Sequence, residues 1–136
     1  TQSRSSAASD VYKRQLLDRA IEVMKAWGFA YKSVGFTWAK RTPLDTGWHM
    51  GTGYTTRSNP EMCLIGVMGS LPRRSAGVRQ LIVEPLREHS RKPDRVPDDI
   101  VQLYGDLPRV ELFARTQRPG WDVWGNQVDK FEAVAA

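Results

Sequence analysis

The apolar run from Glu61 to Met68 is the feature that most limits how this chain can fold. Pro60 and Gly69 bound it, and after Glu61 it contains no charged residue. A continuous apolar run of this length predicts a β-strand that is buried on both faces, because a strand with one exposed face would alternate apolar and polar residues. The chain must therefore place other structure on each side of a sheet.

The rest of the chain alternates helical and strand patterns. Apolar residues recur every three or four positions from Leu16 to Trp27, which predicts a helix that Gly28 ends. Pro97 is predicted to open a short helix with two aspartates in its first turn. Three further segments rich in β-branched and apolar residues are predicted as strands: 29–40, 80–84 and 110–114. This order predicts an α/β fold with flanking helices on both faces of the sheet.

The first fifteen residues, Thr1 to Gln15, differ from the rest. They are rich in serine and alanine, show no hydrophobic period and are predicted to be a disordered or non-native tail. The run from Ser5 to Gln15 resembles a scar that recurs at the ends of environmental sequence assemblies. We therefore expect residues 16–136 to be the C-terminal part of a domain whose N-terminal part is missing, so that its sheet is incomplete.

Charge and composition exclude several classes of protein. The 136 residues suffice for one domain, and no apolar run approaches the roughly 20 residues of a membrane span. The single cysteine, Cys63, excludes a disulfide framework and a multi-cysteine zinc site, and the two histidines lack metal-ligand spacing, so no metal site is predicted. The net charge is +5, of which +4 lies between Met68 and Val96. A basic stretch of this kind is either a solvated loop or a surface for an acidic partner.

Three sequence blocks, in their order and spacing, resemble the MT-A70 family of adenine-N6 methyltransferases. The first block is Ala26-Trp27-Gly28-Phe29 followed by Phe36-Thr37-Trp38-Ala39-Lys40, and the second is Arg87-Glu88-His89-Ser90-Arg91-Lys92-Pro93-Asp94. The third is Val110-Glu111-Leu112-Phe113-Ala114-Arg115, then Gly120-Trp121-Asp122 and Gly125-Asn126-Gln127. The resemblance covers residues 16–131 and implies a Rossmann-like methyltransferase sheet that binds S-adenosylmethionine.

The resemblance also implies which residues hold that cofactor: Lys92, Glu111, Leu112, Arg115, Asn126 and Gln127. The carboxylate of Glu111 is suited to accept hydrogen bonds from ribose hydroxyls or the methionine amine, and Arg115 is suited to hold that carboxylate in a charge-assisted pair. The alternative for Glu111 is an edge ion pair with a nearby arginine. No metal is implied, because the sulfonium of the cofactor already makes its methyl group electrophilic.

The amides of Asn126 and Gln127 offer a donor and an acceptor together, which suits ribose hydroxyls and the adenine edge. Their alternative role is a helix cap after Gly125. Lys92 matches a lysine of the family's cofactor pocket, and its alternative is one more solvated cation in the basic stretch. The tryptophans Trp27, Trp38 and Trp124 are predicted to be core residues rather than ligand contacts.

Two further residues are implied to contact the substrate. Glu61 and the segment from Gly51 to Arg57, with Tyr54 in it, resemble the loop that closes over the target base. A base must leave its stack to be methylated, and Tyr54 or Trp48 can receive its face. The alternative is that both aromatic rings only pack the loop against the domain.

One departure from the family pattern limits the prediction of activity. Members carry an acidic Asp-Pro-Pro-Trp motif, or a close variant, that holds the adenine amine, whereas this sequence contains no Pro-Pro pair. No catalytic residue is therefore assigned, and the chain alone is expected to be inactive, because correct orientation of the reactants supplies much of the rate enhancement of methyl transfer.

The chain is predicted to be a fragment of an enzyme that methylates adenine N6 in DNA or RNA. The alternative is a non-catalytic nucleic-acid-binding subunit of a methyltransferase. A homodimer or heterodimer and a cytoplasmic location in a bacterial or phage-infected cell are also expected.

Overall fold

The computed structural model describes residues 4–9, 16–53 and 55–135, which belong to two compact units, Thr1–Tyr104 and Gly105–Ala136. The first unit contains four strands and two helices, and the second contains two short strands. In chain order the elements are β1 (Arg4–Ser9), α1 (Leu17–Ala26), β2 (Ala30–Arg41), β3 (Glu61–Met68), β4 (Leu81–Pro85), α2 (Arg95–Tyr104), β5 (Val110–Leu112) and β6 (Asp122–Trp124).

The sheet of the first unit has the order β1-β3-β2-β4. Strand β3 occupies the predicted residues and is antiparallel to both of its neighbours, while β2 and β4 are parallel. Trp38 lies opposite Glu61 on one side of β2 and opposite Ile82 on the other. The prediction of an α/β fold is confirmed, with a mixed sheet.

Helices cover both faces of this sheet, as the apolar run of β3 requires. On one face Phe36, Trp38 and Ile82 form the buried core, against which Val96 and Ile100 of α2 pack. Alternate residues of a strand point to opposite faces, so Gly66 lies on the face opposite Cys63, which packs against that core. A β-carbon on Gly66 would lie 3.2 Å from Sδ of Met24, which places α1 on the second face.

Cys63 behaves as a small apolar residue in this core. Burial, and to a lesser extent the charge of Glu61, raise the pKa of its thiol to about 11. The thiolate is the nucleophilic form of cysteine, so a pKa in this range makes Cys63 unreactive at neutral pH.

Strand β1 lies inside the segment predicted to be disordered. Residues Arg4–Ser9 pair with Cys63–Met68 of β3, whereas residues 1–3 and 10–15 lie outside the described part of the chain. Without this pairing β3 would present an open row of backbone donors and acceptors on that side, and such an edge accepts an extended segment largely irrespective of its side chains. The non-native origin of residues 1–15 stays a prediction.

Three boundaries illustrate local chemistry. Helix α1 ends before Gly28, whose φ of +86° suits glycine, as predicted. Helix α2 starts at Arg95, two residues before the predicted start, with Arg95 paired to Asp99 one turn later at 2.8 Å. Strand β5 ends two residues earlier than predicted because Phe113 has a φ of +58°, which is incompatible with a strand.

The long connection after β2 is pinned at its base by Asn59. The Asn59 amide oxygen accepts a hydrogen bond from the backbone N–H of Lys40 at 2.8 Å, and its NH₂ group donates to the carbonyl of Lys40 at 2.9 Å and to that of His49. The two ends of the connection are therefore tied to the point where β2 ends and β3 begins. Neither described helix has the length and apolar character needed to cross a membrane.

Candidate functional site

A carboxylate held between two ammonium groups lies where β2 ends and β3 begins. Oε2 of Glu61 is 2.9 Å from Nζ of Lys40, and Nζ of Lys92 donates a hydrogen bond to Oε1 of the same carboxylate. The Glu61 side chain is only 9% exposed, whereas the two lysine side chains are 20% and 30% exposed. We call Lys40, Glu61 and Lys92 the lysine–carboxylate cluster.

The backbone fixes all three members of this cluster. Glu61 is the first residue of β3 and lies opposite Trp38, two residues before Lys40 on the same face of β2. Asn59 bonds both backbone groups of Lys40. Lys92 lies in the loop before α2, where its carbonyl accepts a hydrogen bond from Nη2 of Arg87 at 2.8 Å while Nη1 of Arg87 pairs with Asp94 at 2.7 Å.

The charges of the cluster keep Glu61 ionised. Burial by itself raises the pKa of this carboxyl, but hydrogen bonds and positive charge from Lys92 and Lys40 outweigh burial, so the pKa lies below its ordinary value of 4.5. The cluster carries a net charge of +1, because two ammonium groups face one carboxylate. Such a group can accept a hydrogen bond from a polar ligand through Glu61 and can attract a phosphate or carboxylate through the lysines.

The structure brings together two residues that the sequence assigned to different ligands. Glu61 was predicted to contact the substrate and Lys92 the cofactor, yet they contact each other directly. The alternative that Lys92 is merely a solvated cation is wrong, since its ammonium is bound to a buried carboxylate. Lys40 was missed, although it closes the first sequence block, because a lysine at a strand end does not reveal its partner.

The aromatic residues predicted near the substrate have different outcomes. Tyr54 lies outside the described residues. Trp48 is exposed, and the guanidinium of Arg41 lies 4.9 Å from the centre of its ring.

Three tryptophans were predicted to be core residues. The prediction is confirmed for Trp38 but is wrong for Trp27 and Trp124, because more than half of each of these two side chains is exposed within the described chain.

In the second unit, β5 and β6 form a parallel two-stranded sheet that separates two predicted cofactor residues. Glu111 pairs with Val123, and Leu112 pairs with Trp124. Because successive strand residues point to opposite faces, Glu111 and Leu112 cannot contact a ligand from the same face of this sheet. Leu112 lies on the same face as Trp124 and is exposed, whereas Glu111 is half-buried on the other face.

The carboxylate of Glu111 is incompletely satisfied. Its Oε2 is buried and has no hydrogen-bond partner among the described residues. Burial raises the pKa of this carboxyl above 4.5, and the positive charge of Arg118 counteracts the rise only in part. No salt bridge joins Glu111 to an arginine in the described part of the chain, but the attraction by Arg118 leaves the alternative of an edge ion pair open. A buried oxygen without a donor is the kind of group that a polar ligand can satisfy.

Arg115 is held by a different part of the second unit. Its guanidinium lies 4.6 Å from the centre of the Phe131 ring, and its carbonyl accepts a hydrogen bond from the Phe131 N–H at 3.0 Å. The structure therefore places Arg115 against the C-terminal segment.

Asn126 and Gln127 follow β6 in a turn. Neither amide side chain has a hydrogen bond to another described residue, and both line an open cavity of about 430 Å³ formed by residues 125–130. A second open cavity, of about 510 Å³, is lined by Phe113, Trp124, Gly125 and Asn126. The helix-cap alternative is wrong, because residues 126–129 form a turn and not a helix.

Gly125 sets the position of these two amides. Its φ is +152°, and a β-carbon at this residue would lie 3.1 Å from Cα of Phe113. Glycine suits this position because L side chains rarely adopt this φ and because a β-carbon would press against the backbone of Phe113 and Ala114. The carbonyl of Trp124 accepts a hydrogen bond from Ala114 N–H at 3.1 Å, which holds the same approach.

No group of histidine, cysteine or acidic side chains suited to a metal ion occurs in the part of the chain that the structure describes. The candidate ligand groups are thus the lysine–carboxylate cluster in the first unit and the half-buried Glu111 with the amides of Asn126 and Gln127 in the second.

Comparison with known proteins adds a family to this geometry. The family model described as MT-A70 matches residues 10–127. The type II methyltransferase M.MunI of a Mycoplasma species is 37% identical over 106 residues, which cover 76% of this chain and 42% of that protein. The N(6)-adenosine-methyltransferase MT-A70-like protein of Drosophila melanogaster is 32% identical over 125 residues, covering 85% of this chain and 20% of that protein.

The human N(6)-adenosine-methyltransferase catalytic subunit METTL3 is 33% identical over 113 residues, covering 79% of this chain and 19% of that protein. The chain therefore spans less than half the length of each of these three relatives.

Proposed function

The chain belongs to the MT-A70 family, and we propose that the protein containing it transfers a methyl group from S-adenosylmethionine to N6 of adenine in DNA or RNA. The observation that carries this proposal is the family match across residues 10–127, which includes all three sequence blocks. Two of the relatives described above are named as N(6)-adenosine methyltransferases, which supports the same reaction. We further propose that the four-stranded sheet of the first unit is part of a Rossmann-like methyltransferase sheet.

The residues of the second unit fit the proposed cofactor. When bound, S-adenosylmethionine supplies a methyl group made electrophilic by its sulfonium. Glu111 has a buried oxygen that lacks a donor, and the ribose hydroxyls of such a ligand are donors. The amides of Asn126 and Gln127 line an open cavity and are available to bond an adenine or ribose edge. These three residues are therefore the ones we propose to hold the cofactor.

The lysine–carboxylate cluster fits the proposed nucleic-acid substrate. The ionised carboxylate of Glu61 can accept a hydrogen bond from an amino group of a base, and the two ammonium groups hold its orientation. The exposed ring of Trp48, on the connection that Asn59 pins, offers a face on which a base that has left its stack can lie. We propose that these groups position the target nucleotide.

The acidic motif that orients the adenine amine is the part that this sequence lacks. We propose that it lies in a part of the protein that precedes residue 16, and the complete coding sequence tests this directly. An acidic Pro-Pro-aromatic motif upstream is expected. A complete reading frame without one would contradict an active enzyme and favour the non-catalytic nucleic-acid-binding subunit. A dimeric state and a cytoplasmic location remain proposals that rest on the resemblance.

The reaction itself is tested with protein expressed from the complete coding sequence. We expect N6-methyladenine to form, measured by mass spectrometry of nucleosides, when the protein is incubated with S-adenosylmethionine and duplex DNA, single-stranded DNA or RNA of one sequence. The three arms separate the substrate classes. Cofactor binding without N6-methyladenine in any arm would contradict the proposed reaction.

Replacing Asn126 with alanine tests the cofactor site. We expect the Asn126→Ala variant to bind S-adenosylmethionine about fivefold more weakly, because a neutral hydrogen bond contributes about 1 kcal/mol. Isothermal titration calorimetry on the complete protein measures the change. The Gln102→Ala variant is the control, since it removes an exposed amide from α2. An affinity for Asn126→Ala equal to that of this control would remove Asn126 from the proposed site.

A further inference from the structure

The loop between β3 and β4 presents three exposed arginines to solvent. Arg73, Arg74 and Arg79 are exposed, and none of their side chains forms a salt bridge or hydrogen bond with another described residue. The loop, residues 69–80, contains no aspartate or glutamate. Its charge is therefore directed to solvent and is not neutralised within the loop.

The other cations of the basic stretch behave differently. Arg87 pairs with Asp94 at 2.7 Å, Arg91 with Glu88 at 3.0 Å, and Arg95 with Asp99 at 2.8 Å. Lys92 is bound to Glu61. The structure thus divides the basic stretch into a paired half, which shapes the loop before α2, and a half on the loop 69–80 that has no salt bridge among the described residues.

The backbone of the loop 69–80 is anchored at several points. The N–H of Arg74 donates to the carbonyl of Leu103 at the end of α2, at 2.7 Å. Near the other end of the loop, Val78 packs against the core, and the side chain of Gln80 donates to the carbonyl of Val34 at 2.9 Å. Because the backbone is fixed, little conformational entropy beyond that of the arginine side chains is lost when these groups bind a partner.

We propose that Arg73, Arg74 and Arg79 form a surface that binds the phosphate backbone of the nucleic-acid substrate; this inference rests on the proposed function. Guanidinium groups match phosphate oxygens with two parallel hydrogen bonds, and three of them on one loop suit a ligand that carries several phosphates. The loop exposes no large apolar side chain among the described residues, whereas surface segments that lie in a bilayer combine basic residues with apolar ones that enter it, so the loop fits a nucleic acid better than a lipid surface.

The salt dependence of binding tests this surface. A fluorescein-labelled short DNA duplex is titrated with protein from the complete coding sequence, at salt concentrations from about 50 to about 200 mM. The variant that combines Arg73→Gln, Arg74→Gln and Arg79→Gln is expected to lower the magnitude of the slope of log affinity against log salt by about 2 to 3, since each phosphate contact contributes about 0.9. Circular dichroism checks that the variant is folded.

The chain offers a charge-matched control. The variant that combines Arg19→Gln, Lys25→Gln and Lys32→Gln removes three exposed cations from α1 and the start of β2, and its slope is expected to change by less than about 1. Equal slope changes in the two variants, or a wild-type protein that does not bind the duplex, would overturn the proposed surface even where N6-methyladenine forms. Binding of the wild type and both variants to vesicles that contain phosphatidylserine is measured as well. If the loop variant, but not the control, loses vesicle binding while its DNA binding is unchanged, the proposed surface would be overturned in favour of a membrane contact. A reduced slope without methyl transfer would instead support the surface and count against the proposed reaction.

Discussion

The Glu61→Gln variant is expected to unfold with a free energy about 2 to 3 kcal/mol lower than that of the wild-type chain. The substitution removes the only negative charge of the lysine–carboxylate cluster and leaves the ammonium groups of Lys40 and Lys92 facing each other. Removing one partner of a buried ion pair costs about 3 to 5 kcal/mol. We expect a smaller loss because the lysine side chains are 20% and 30% exposed and water partly screens their repulsion.

Urea denaturation followed by tryptophan fluorescence measures this loss. Nζ of Lys40 lies 5.3 Å from the centre of the buried Trp38 ring, so the emission of Trp38 reports on the region that changes. The Glu22→Gln variant is the matched control. It makes the same chemical change in an ion pair with Arg19 whose side chains are 71% and 65% exposed, and it should alter stability by less than about 0.5 kcal/mol. Equal losses in the two variants would contradict a stabilising role for the cluster.

The pH dependence of stability gives an independent signature of Glu61. The pKa of this carboxyl is lower in the folded chain than its ordinary value of 4.5. A carboxyl with a lowered folded pKa contributes stability that is fully present above its unfolded pKa and is lost as the pH falls through the folded pKa. The stability difference between the wild type and Glu61→Gln should therefore be constant from neutral pH down to about pH 5 and shrink below pH 4.5.

Much of the first unit could be predicted from sequence because its signals are local. The continuous apolar run predicted β3 at its observed residues, and Gly28 predicted the end of α1. Boundaries that depend on contacts or on unusual backbone angles were misplaced. The start of α2 involves a pair between Arg95 and Asp99, and β5 ends where Phe113 takes a positive φ that a phenylalanine rarely adopts.

The candidate site was only partly predictable, for a different reason. The family resemblance identified Glu61 and Lys92 as residues of interest, but 31 positions separate them in the chain and nothing local indicates that they touch. Lys40 and Asn59 were missed because their roles arise only where β2 and β3 meet. Conversely, the adjacent residues Glu111 and Leu112 were assigned to one ligand, and the alternation of β5 places them on opposite faces.

The Glu111→Gln variant, in contrast to Glu61→Gln, is expected to be more stable than the wild-type chain near neutral pH. Burial raises the pKa of Glu111 above 4.5, so its ionised form is unfavourable in the folded chain at neutral pH. A group with a raised folded pKa contributes stability that is present below its unfolded pKa and is lost as the pH rises through the folded value. Near neutral pH, Glu111→Gln should therefore slow amide hydrogen exchange in β5 and β6, by an amount that corresponds to about 1 kcal/mol. The difference should vanish below pH 4.5.

The affinity for S-adenosylmethionine should change in the reverse direction. If the ligand donates a hydrogen bond to the buried Oε2, the Glu111→Gln variant loses the charge-assisted part of that bond, and calorimetry on the complete protein should show binding weakened about tenfold. Wild-type affinity should also fall as the pH is lowered toward the raised pKa of Glu111, because protonation removes the charge that the donor meets, whereas the affinity of the variant should not follow this fall. A variant that is both more stable and equally tight in binding would show that the unsatisfied oxygen serves no ligand. Greater stability together with weaker binding is the pattern expected of a residue retained for its ligand at a cost to the fold.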